Sequence, residues 1–415
     1  MRILYGVTGE GMGHATRSKV TLEHLVAAGH EVKVVVSGRA HAFLARSFPD
    51  VVEIRGLTIK YVDNAMDRDG SLAKNLLAAP SLLFENVSAY FDKVVHFKPE
   101  AVVTDFDSFA YLYGKRHGLP VLSIDNQQII ARCKHDDSIK AGAKVDYRLT
   151  KAFVKAKLPG CEHYIITSFF HPPVRKKFLD TTTLVPPILR QVILDAKPHA
   201  RLGKHVLVYQ TSTSDTKLIP TLNALTGETF VVYGLRRNAT EGNCTIKEFS
   251  EEGFVKDLAE ARAVVSNGGL SLLGEAVYLG KPIYSVPVQH QYEQLMNARY
   301  LEELGYGLGA DAIDGDLLRM FLAENAKYAA RVARHSQDGN RLLFRTVDGV
   351  LEPFAKTAKK KAVANLNGTQ AMAYAAMQAI ASGKSVPGML ITNELTKNGV
   401  SPPVPPDPPP PRTCE

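Results

Sequence analysis

Short apolar runs that alternate with helical stretches are the feature that most constrains the fold of this chain. In the first half, strands are predicted at residues 2–7, 31–37, 99–105 and 120–124. A helix is predicted from Arg17 to Ala28, and Gly29 is predicted to end it as a C-terminal cap. Strands that alternate with helices build βαβ units around a parallel sheet. The first half is therefore predicted to be an α/β domain.

The same pattern restarts after a proline-interrupted break. Thr181 to Pro187 and Lys197-Pro198 resemble a linker, because proline fits neither a central strand nor a helix interior. Further strands are predicted at residues 205–209, 229–233, 262–266 and 282–286. We therefore expect two doubly wound, Rossmann-like domains at residues 1–185 and 201–356, with a linker at residues 186–200 between them.

The last part of the chain, residues 357–415, differs in composition from both predicted domains. A basic run leads into an Ala-rich stretch at residues 369–381 that could form a short helix. Residues 401–411 read SPPVPPDPPPP and predict an extended, disordered tail. A passive spacer and a segment that docks on a proline-binding partner are both compatible with this tail.

Charge and cysteine content limit the possible partners and compartments. The 415 residues include 50 Lys and Arg against 42 Asp and Glu, a net charge of +8 that favours phosphates or an acidic membrane surface. The sequence has no dense basic stripe with interleaved aromatic residues, so nucleic-acid binding is not predicted. The cysteines form no CxxC pair and no disulfide framework: Cys133, Cys161, Cys244 and Cys414. Because the N-terminus resembles neither a signal peptide nor a membrane span, we expect a cytoplasmic protein.

The segment that begins at Ser266 carries the strongest functional signal. A predicted strand runs into Asn267-Gly268-Gly269, and a helix then begins near Ser271. Glycines allow a ligand to approach the backbone closely, and a helix N-terminus presents free N–H groups to a diphosphate. Glu275 lies one turn into this helix, where a carboxylate could accept hydrogen bonds from ribose hydroxyls.

A polar loop is predicted after the next strand of the second domain. It contains Gln289, His290, Glu293 and Gln294, and a helix is predicted to begin at about Asn297. The carboxyl ends of parallel strands are where α/β folds bind ligands. This loop is therefore a second candidate part of the same binding site.

These motifs, in this order, resemble the donor-binding half of GT-B glycosyltransferases. The similarity is to the group that joins the UDP-glycosyltransferases with the peptidoglycan lipid-intermediate GlcNAc transferase. It implies two Rossmann-like domains that face each other across a cleft and a metal-independent, inverting transfer from a nucleotide-sugar, which is a substrate, so that no cofactor is expected. The implied donor-binding residues are Ser212, Ser214, Phe249, Phe254, Asn267, Gly268, Gly269, Ser271, Glu275, Gln289, His290, Glu293 and Gln294.

Within that resemblance, the glycines and Ser271 bind phosphate, Glu275 binds ribose, and Glu293 with Gln294 binds the sugar. Ser212 and Ser214 lie over the phosphates, while Phe249 and Phe254 lie near the base. Some members of the group stack a tryptophan on the base, but this chain contains no Trp. The choice between UDP, dTDP and GDP therefore stays open, with UDP as the first candidate.

The glycine-rich loop after the first strand offers a candidate general base. A dinucleotide-binding GxGxxG would need a third glycine where His14 stands, and the second strand ends without an acidic residue. A neutral imidazole here could deprotonate an acceptor hydroxyl, and Asp105, at the end of a later strand, could orient it. Alternatively, His14 binds phosphate or caps the helix and Asp105 is structural. UDP-glycosyltransferases pair a histidine and an aspartate similarly.

Other polar residues are predicted at the acceptor side of the same cleft: Gly11, Gly13, Asp125, Asn126 and Gln127. Exposed turn residues would give the same pattern at residues 125–127. Asp105-Phe106-Asp107 spells a DxD sequence, which binds a metal in a different glycosyltransferase fold. Because it lies far from the donor motifs, we expect no metal site.

The acceptor is either a small molecule or a lipid-linked one. Residues 132–180 mix cationic, apolar and aromatic residues, which fits peripheral contact with an anionic membrane but equally fits an ordinary strand beside solvated lysines. Two alternative functions share the fold. One is a sugar-nucleotide 2-epimerase, and the other is a non-catalytic sugar-nucleotide-binding protein.

Overall fold

The computed structural model describes residues 1–9, 11–54, 60–62, 65–67, 93–210 and 217–364. Two predominantly parallel sheets with flanking helices occupy its first and second halves, which confirms the predicted pair of Rossmann-like domains. Both lie in one unit, Met1–Phe354, and a second unit begins at Ala355. The predictions for Ser212, Ser214, the Ala-rich stretch and the proline-rich tail lie outside the described residues.

The first sheet has seven parallel strands in the order β3-β2-β1-β6-β7-β8-β9. A separate antiparallel pair is formed by β4 and β5. The strands are β1 (Arg2–Val7), β2 (Glu31–Ser37), β3 (Val51–Ile54), β4 (Lys60–Val62), β5 (Ala65–Asp67), β6 (Ala101–Asp105), β7 (Val121–Asp125), β8 (His163–Thr167) and β9 (Thr182–Val185). The central strands β6 and β7 are buried along their whole length because helices cover both faces of the sheet.

Among the described residues of this half, six α-helices connect or flank the strands. They are α1 (Met12–Ala27), α2 (Ala40–Leu44), α3 (Ser108–Arg116), α4 (Gln128–Arg132), α5 (Asp137–Lys140) and α6 (Lys144–Lys157). Helix α1 begins five residues before its predicted start at Arg17, so that His14 and Arg17 share its first turns. The register of β1 and β6 pairs Val7 with Asp105, which brings the loop before α1 beside the end of β6.

The second sheet also has seven strands, in the order β12-β13-β11-β10-β14-β15-β16, and only β12 is antiparallel to its neighbour. The strands are β10 (His205–Tyr209), β11 (Thr229–Tyr233), β12 (Ala239–Glu241), β13 (Cys244–Lys247), β14 (Ala263–Ser266), β15 (Ile283–Ser285) and β16 (Gly307–Gly309). The remaining helices are α7 (Gln191–Ala196), α8 (Leu218–Asn223), α9 (Glu251–Glu260), α10 (Leu270–Tyr278), α11 (Tyr292–Glu303), α12 (Gly315–Ala323), α13 (Asn325–Val332) and α14 (Arg341–Ala364).

Two local predictions differ from the structure. Part of the stretch compared with a linker, Thr182–Val185, is the edge strand β9, which pairs with β8 while the prolines follow it. The helix predicted to begin at about Asn297 begins at Tyr292. Glu293 lies in its first turn, where an acidic side chain favours a helix N-terminus, so the predicted polar loop is shorter than expected.

The first part of α14 packs against the first sheet, although residues 201–356 were predicted as the second domain. Leu343, Val347 and Leu351 are buried in the same apolar cluster as Ile3 and Tyr5 of β1. On its exposed side, the Nε2 atom of His24 lies 2.7 Å from an Oδ1 atom of Asp348. The chain therefore returns from the second sheet to complete the core of the first.

The two halves also share a core of their own. One buried cluster contains Ile139 and Tyr147 from the first half together with Tyr292 and Tyr300 from α11. The ring of Tyr300 stacks on that of Phe170, with 3.9 Å between the ring centroids. This contact fixes α11 against the first domain, and α11 carries two of the residues predicted to bind the sugar.

Candidate functional site

The loop before α1 meets the start of α10, so the two halves touch at the predicted site. The hydroxyl of Ser271 donates to the backbone carbonyl of Gly13, at a distance of 3.3 Å. A Cβ atom on Gly13 would lie only 2.9 Å from that hydroxyl oxygen, which leaves little room for any side chain. Gly11 precedes α1 as its N-cap. Of the two glycines predicted on the acceptor side, Gly13 thus lies directly against the predicted phosphate-binding helix.

His14 and Asp105, which the sequence predicts as a pair, are in direct contact. The Nδ1 atom of His14 lies 2.9 Å from an Oδ1 atom of Asp105. Asp105 is fully buried at the end of β6, whereas the His14 side chain is 16% exposed. A backbone hydrogen bond of 3.2 Å from Thr8 to the carbonyl of Asp105 continues the strand register and holds the loop in place. The geometry is that of an imidazole oriented by a carboxylate.

Arg17 is the residue of this site that the sequence analysis missed. Its Nε atom donates to Oδ2 of Asp105 at 2.8 Å, and its Nη2 atom donates to Oδ1 at 2.5 Å. Burial would raise the pKa of Asp105, but the Arg17 and His14 side chains hold it well below its usual range. The only sequence signal for Arg17 is its position three residues after His14, on the same face of the helix.

A chain of hydrogen bonds continues from Arg17 into the second half. The Nη1 atom of Arg17 donates to Oδ1 of Asn126 at 2.5 Å, and Nδ2 of Asn126 donates to Oε1 of Glu293 at 2.6 Å. Gln127, next to Asn126, has its Nε2 atom 3.3 Å from Nε2 of His14. Residues predicted separately for catalysis, acceptor binding and sugar binding therefore form one connected cluster.

Asp125, predicted on the acceptor side, is buried and turned into its own loop. Its Oδ1 atom accepts from the backbone N–H of Gln128 at 2.9 Å, and its Oδ2 atom accepts from the Ser123 hydroxyl at 2.6 Å. Burial raises the pKa of Asp125 to about 6. Its side chain thus stabilises the start of α4, whereas Asn126 and Gln127 reach the cluster around His14.

The predicted phosphate-binding loop lies between β14 and α10. Gly268 has a positive φ of 89°, and a Cβ atom there would lie 3.0 Å from the hydroxyl of Ser285, so the turn requires glycine. The Nδ2 atom of Asn297 donates to the carbonyl of Gly268 at 3.0 Å. Asn267 is buried beside it, and its Nδ2 atom donates to the carbonyl of Val286 at 3.3 Å. Gly269 follows as the N-cap of α10.

The buried Glu275 forms an ion pair with the partly buried Arg190, which the sequence did not indicate. The Nε and Nη2 atoms of Arg190 donate to the two carboxylate oxygens at 2.7 and 2.8 Å. A third bond of 2.7 Å joins Arg190 Nη1 to Glu251 at the surface. Nothing in the predicted linker indicates a partner 85 residues away. Any ribose that binds Glu275 would meet a carboxylate that this guanidinium already orients.

The remaining donor residues lie at different depths. Gln289 and His290 are exposed, and His290 has a positive φ of 67°. The Oε1 atom of Gln294 accepts from the backbone N–H of Val288 at 2.9 Å, which closes the loop before α11. Phe254 is buried against Tyr209 and Tyr233, whereas Phe249 is 57% exposed. Of the two aromatics predicted near the base, only Phe249 presents an open face.

The two carboxylates of the DxD sequence have separate partners. Asp105 pairs with Arg17 and His14, whereas Oδ1 of Asp107 accepts from the backbone N–H of Ala110 at 2.8 Å and caps α3. Burial raises the pKa of Asp107 to about 6. Within the described ranges, no group of three or more His, Cys, Asp or Glu side chains is arranged to hold a metal ion.

With this geometry established, comparison with known families decides the assignment. The sequence profile of a family described as "Glycosyl transferase family 1" matches residues 1–325. The chain belongs to this family. A curated relative, an uncharacterised glycosyltransferase of Methanosarcina acetivorans, is 26% identical over 333 residues, which cover 74% of this chain and 85% of the relative.

Solved structures show that this glycosyltransferase has the GT-B fold. MurG of Acinetobacter baumannii superposes with a TM-score of 0.52 at 14% identity, covering 84% of this chain and 99% of MurG. The spinosyn rhamnosyltransferase SpnG complexed with thymidine diphosphate gives a TM-score of 0.56 at 18% identity, covering 84% of this chain and 100% of SpnG. The predicted fold class, the resemblance and the enzyme class are thereby confirmed.

The part of this glycosyltransferase that the structure describes contains no helix that is long and apolar enough to cross a membrane. The expected cytoplasmic location stays a prediction. So do the individual roles of the site residues.

Proposed function

We propose that this enzyme transfers a sugar from a nucleoside diphosphate donor, with UDP as the first candidate, to an acceptor hydroxyl. His14 removes the proton of that hydroxyl through Nε2, and the oxygen attacks the anomeric carbon from the face opposite the diphosphate. The bond between that carbon and the phosphate oxygen breaks, and the configuration inverts. The contact between His14 and Asp105, directly beside Gly13 and Ser271, is the observation that carries the proposal.

The leaving diphosphate is stabilised by the start of α10 without a metal ion. Gly268 lets the diphosphate approach the backbone, and Gly269 and Ser271 supply backbone N–H groups and a hydroxyl at the N-terminus of a nine-residue helix. Such an N-terminus carries partial positive charge, and fixed donors of this kind stabilise charge that develops in a transition state. The net charge of +8 also favours an anionic donor.

Calorimetry with UDP, dTDP and GDP in the presence of EDTA tests the donor site. Micromolar binding of one nucleotide names the base and shows that nucleotide binding needs no metal. Failure of all three to bind would overturn the donor assignment. In turnover assays, His14→Ala should lose about 10²–10⁴-fold in rate while it keeps donor binding, as expected for a general base.

The matched control is His117→Ala, which removes an exposed histidine at the end of α3. Normal turnover by His14→Ala would exclude the role as a base. Product NMR tests the stereochemistry, since an α-linked donor must give a β-linked product. An α-linked product would contradict direct inversion.

We further propose that the acceptor is lipid-linked and that α6 rests on an anionic membrane. Val145, Leu149 and Phe153 are 68%, 57% and 52% exposed and lie four residues apart along one face of this helix. Exposed cations, Lys144, Arg148 and Lys155, border the apolar stripe. Apolar side chains with a cationic border are suited to the interface of an anionic bilayer.

The stripe on α6 leads towards the catalytic cluster. The ring of Phe153 lies 6.2 Å from that of Phe106, which directly follows Asp105. On α3, Leu112 is 61% exposed, and the neighbouring Tyr111 hydroxyl donates to the carbonyl of Pro159 at 2.7 Å, which joins α3 to the end of α6. A membrane below this surface would hold a lipid-linked acceptor next to the sheet edge that carries Asp105.

Vesicle sedimentation tests this surface. The enzyme should bind phosphatidylglycerol-containing vesicles, release in high salt, and bind pure phosphatidylcholine vesicles weakly. The double variant Leu149→Glu/Phe153→Glu should lose vesicle binding. Met320→Glu, which alters a 51% exposed residue of α12, is the control and should bind as wild type. Equal binding by the double variant would exclude α6 as the membrane surface.

A further inference from the structure

Arg17 and Asp105 form a bidentate ion pair beside the imidazole ring of His14. Asp105 accepts both Nε and Nη2 of Arg17, and its Oδ2 atom also accepts from the Ser18 hydroxyl at 2.9 Å. Arg17 is 5% exposed and Asp105 is 1% exposed, so water screens neither charge. Such a bidentate pair is short and strong, and its net charge is zero.

The same guanidinium also contacts His14. Its Nη2 atom lies 2.8 Å from Nδ1 of the imidazole, and Oδ1 of Asp105 lies 2.9 Å from Nδ1 and 2.5 Å from Nη2. A guanidinium nitrogen only donates hydrogen bonds, and a carboxylate oxygen only accepts them. The positive donor and the negative acceptor therefore lie on the same side of Nδ1 and close a tight triangle with it.

The other ring nitrogen of His14 faces Gln127. The Nε2 atom of the Gln127 side-chain amide lies 3.3 Å from Nε2 of His14. The proposed function places the hydrogen of the neutral ring on Nδ1, facing Asp105, and the lone pair on Nε2. This is the tautomer in which a histidine can accept a proton from an acceptor hydroxyl.

We infer that Arg17 is a positioning residue that balances the charge of Asp105 so that His14 rests as a neutral base. Without the guanidinium, a buried carboxylate 2.9 Å from the imidazole would favour imidazolium, and His14 would already carry the proton it must accept. With it, Asp105 still orients Nδ1–H, but its charge is neutralised. The inference deepens the proposed function, because it rests on His14 acting as the base.

Two other charged groups lie around this cluster. Asp125 is the last residue of β7 and is buried, while Glu293 lies in the first turn of α11. Both are carboxylates whose charge favours the cationic form of Arg17. Arg17 therefore faces acidic groups from both halves of the enzyme, and Asn126 connects it to Glu293.

The decisive measurement is the NMR titration of His14 in protein labelled with ¹⁵N-histidine, with the His14 signal assigned by its loss in His14→Gln. In Arg17→Gln, the midpoint of the His14 titration should move up by about 1–3 pH units relative to wild type, because the carboxylate then acts unopposed. In Asp105→Asn, which leaves Arg17 unopposed, it should move down. The double variant Arg17→Gln/Asp105→Asn should return towards wild type.

Three further comparisons separate charge from packing. Ser18→Ala removes a hydrogen bond to Asp105 without changing charge, so its His14 midpoint should match wild type. Arg17→Lys keeps the positive charge, but its single ammonium group cannot contact both Asp105 and Asn126 as the guanidinium does. It should leave the midpoint near wild type and raise the KM for the donor. The acid limb of the pH dependence of kcat should follow the NMR midpoint in every active variant.

An unchanged His14 midpoint in Arg17→Gln would overturn the inference. If that variant does not fold, an unchanged midpoint in Asp105→Asn overturns it equally well, since both shifts come from the same contacts. Failure of the proposed function gives a different result: the midpoints would move as expected, but His14→Ala would turn over normally.

Discussion

The hydroxyl of Ser271 lies 3.3 Å from the backbone carbonyl of Gly13 and joins the start of α10 to the start of α1. These residues lie on helices that pack on different sheets, and each helix follows the carboxyl end of a central strand. The contact places the proposed phosphate site one residue away from the proposed base. A donor that binds between the two helix starts would present its anomeric carbon to His14 over a short path.

Replacing Ser271 should weaken diphosphate binding specifically. In Ser271→Ala, the nucleoside diphosphate that binds wild type should bind about 10- to 100-fold more weakly, because a hydrogen bond to a charged group contributes about 1.5–3 kcal/mol. Calorimetry checks the change. The corresponding nucleoside without phosphates should bind both proteins equally, and an equal loss for nucleoside and diphosphate would show that the pocket itself had been disturbed.

Removing Glu275 should destabilise the fold as well as the proposed ribose site. Glu275→Ala leaves the partly buried guanidinium of Arg190 without its bidentate partner, which should lower the free energy of unfolding by about 2–3 kcal/mol. Urea denaturation measures this. Glu251→Ala removes the exposed partner of the same arginine and should cost less than about 1 kcal/mol. Equal costs for both variants would contradict the structural role of the buried pair.

Asp125 should make the protein less stable as the pH rises. Burial raises its pKa to about 6, from about 3.9 when unfolded, so the native state holds the proton more tightly. The contribution of protonated Asp125 to the free energy of unfolding is complete below about pH 4 and is lost as the pH rises to about 6. The unfolding free energy of Asp125→Asn minus that of wild type should therefore increase by about 2–3 kcal/mol between those conditions and neutral pH. A pH-independent difference would refute this role.

His135 should have the opposite effect at the contact between the halves. Its Nδ1 atom lies 2.8 Å from the Tyr300 hydroxyl and its Nε2 atom lies 2.9 Å from the carbonyl of Ile129, so the neutral ring is satisfied on both sides. Burial lowers its pKa to about 4. Stability is therefore complete above the unfolded value of about 6.5 and is lost as the pH falls through about 4.

Acid denaturation of His135→Gln checks that sign. Between neutral pH and about pH 4, wild type should lose about 3 kcal/mol more than this variant. Tyr300→Phe keeps the titrating ring but removes one partner, and should cost about 1 kcal/mol at every pH. If wild type and His135→Gln lost stability in parallel, the buried imidazole would not be the titrating group.

The sequence predicted the strands well because each one is a short apolar run with a clear end. β1, β2, β10 and β11 have the predicted bounds. The contact of His14 with Asp105 was also predictable, because parallel register places the ends of β1 and β6 side by side. Helix starts were less accurate, since α1 and α11 begin with residues that suit a polar loop equally well.

The ion pairs could not be read from the sequence. In the sequence, Arg17 and Arg190 look like ordinary surface arginines. Only the fold shows that each forms an ion pair with a carboxylate from a distant segment. The burial of the aromatic residues could not be predicted from the sequence either. Phe249 and Phe254 lie five residues apart, but the turn of α9 buries only the second.

The return of α14 to the first sheet has a consequence for synthesis on the ribosome. All seven strands of the first sheet precede residue 186, so that domain leaves the exit tunnel early. Its apolar face nevertheless stays incomplete until Leu343, Val347 and Leu351 are made. The apolar surface of β1 and α1 that these residues cover therefore stays exposed while the whole second sheet is translated. We expect chaperones to bind the nascent first domain mainly in that interval.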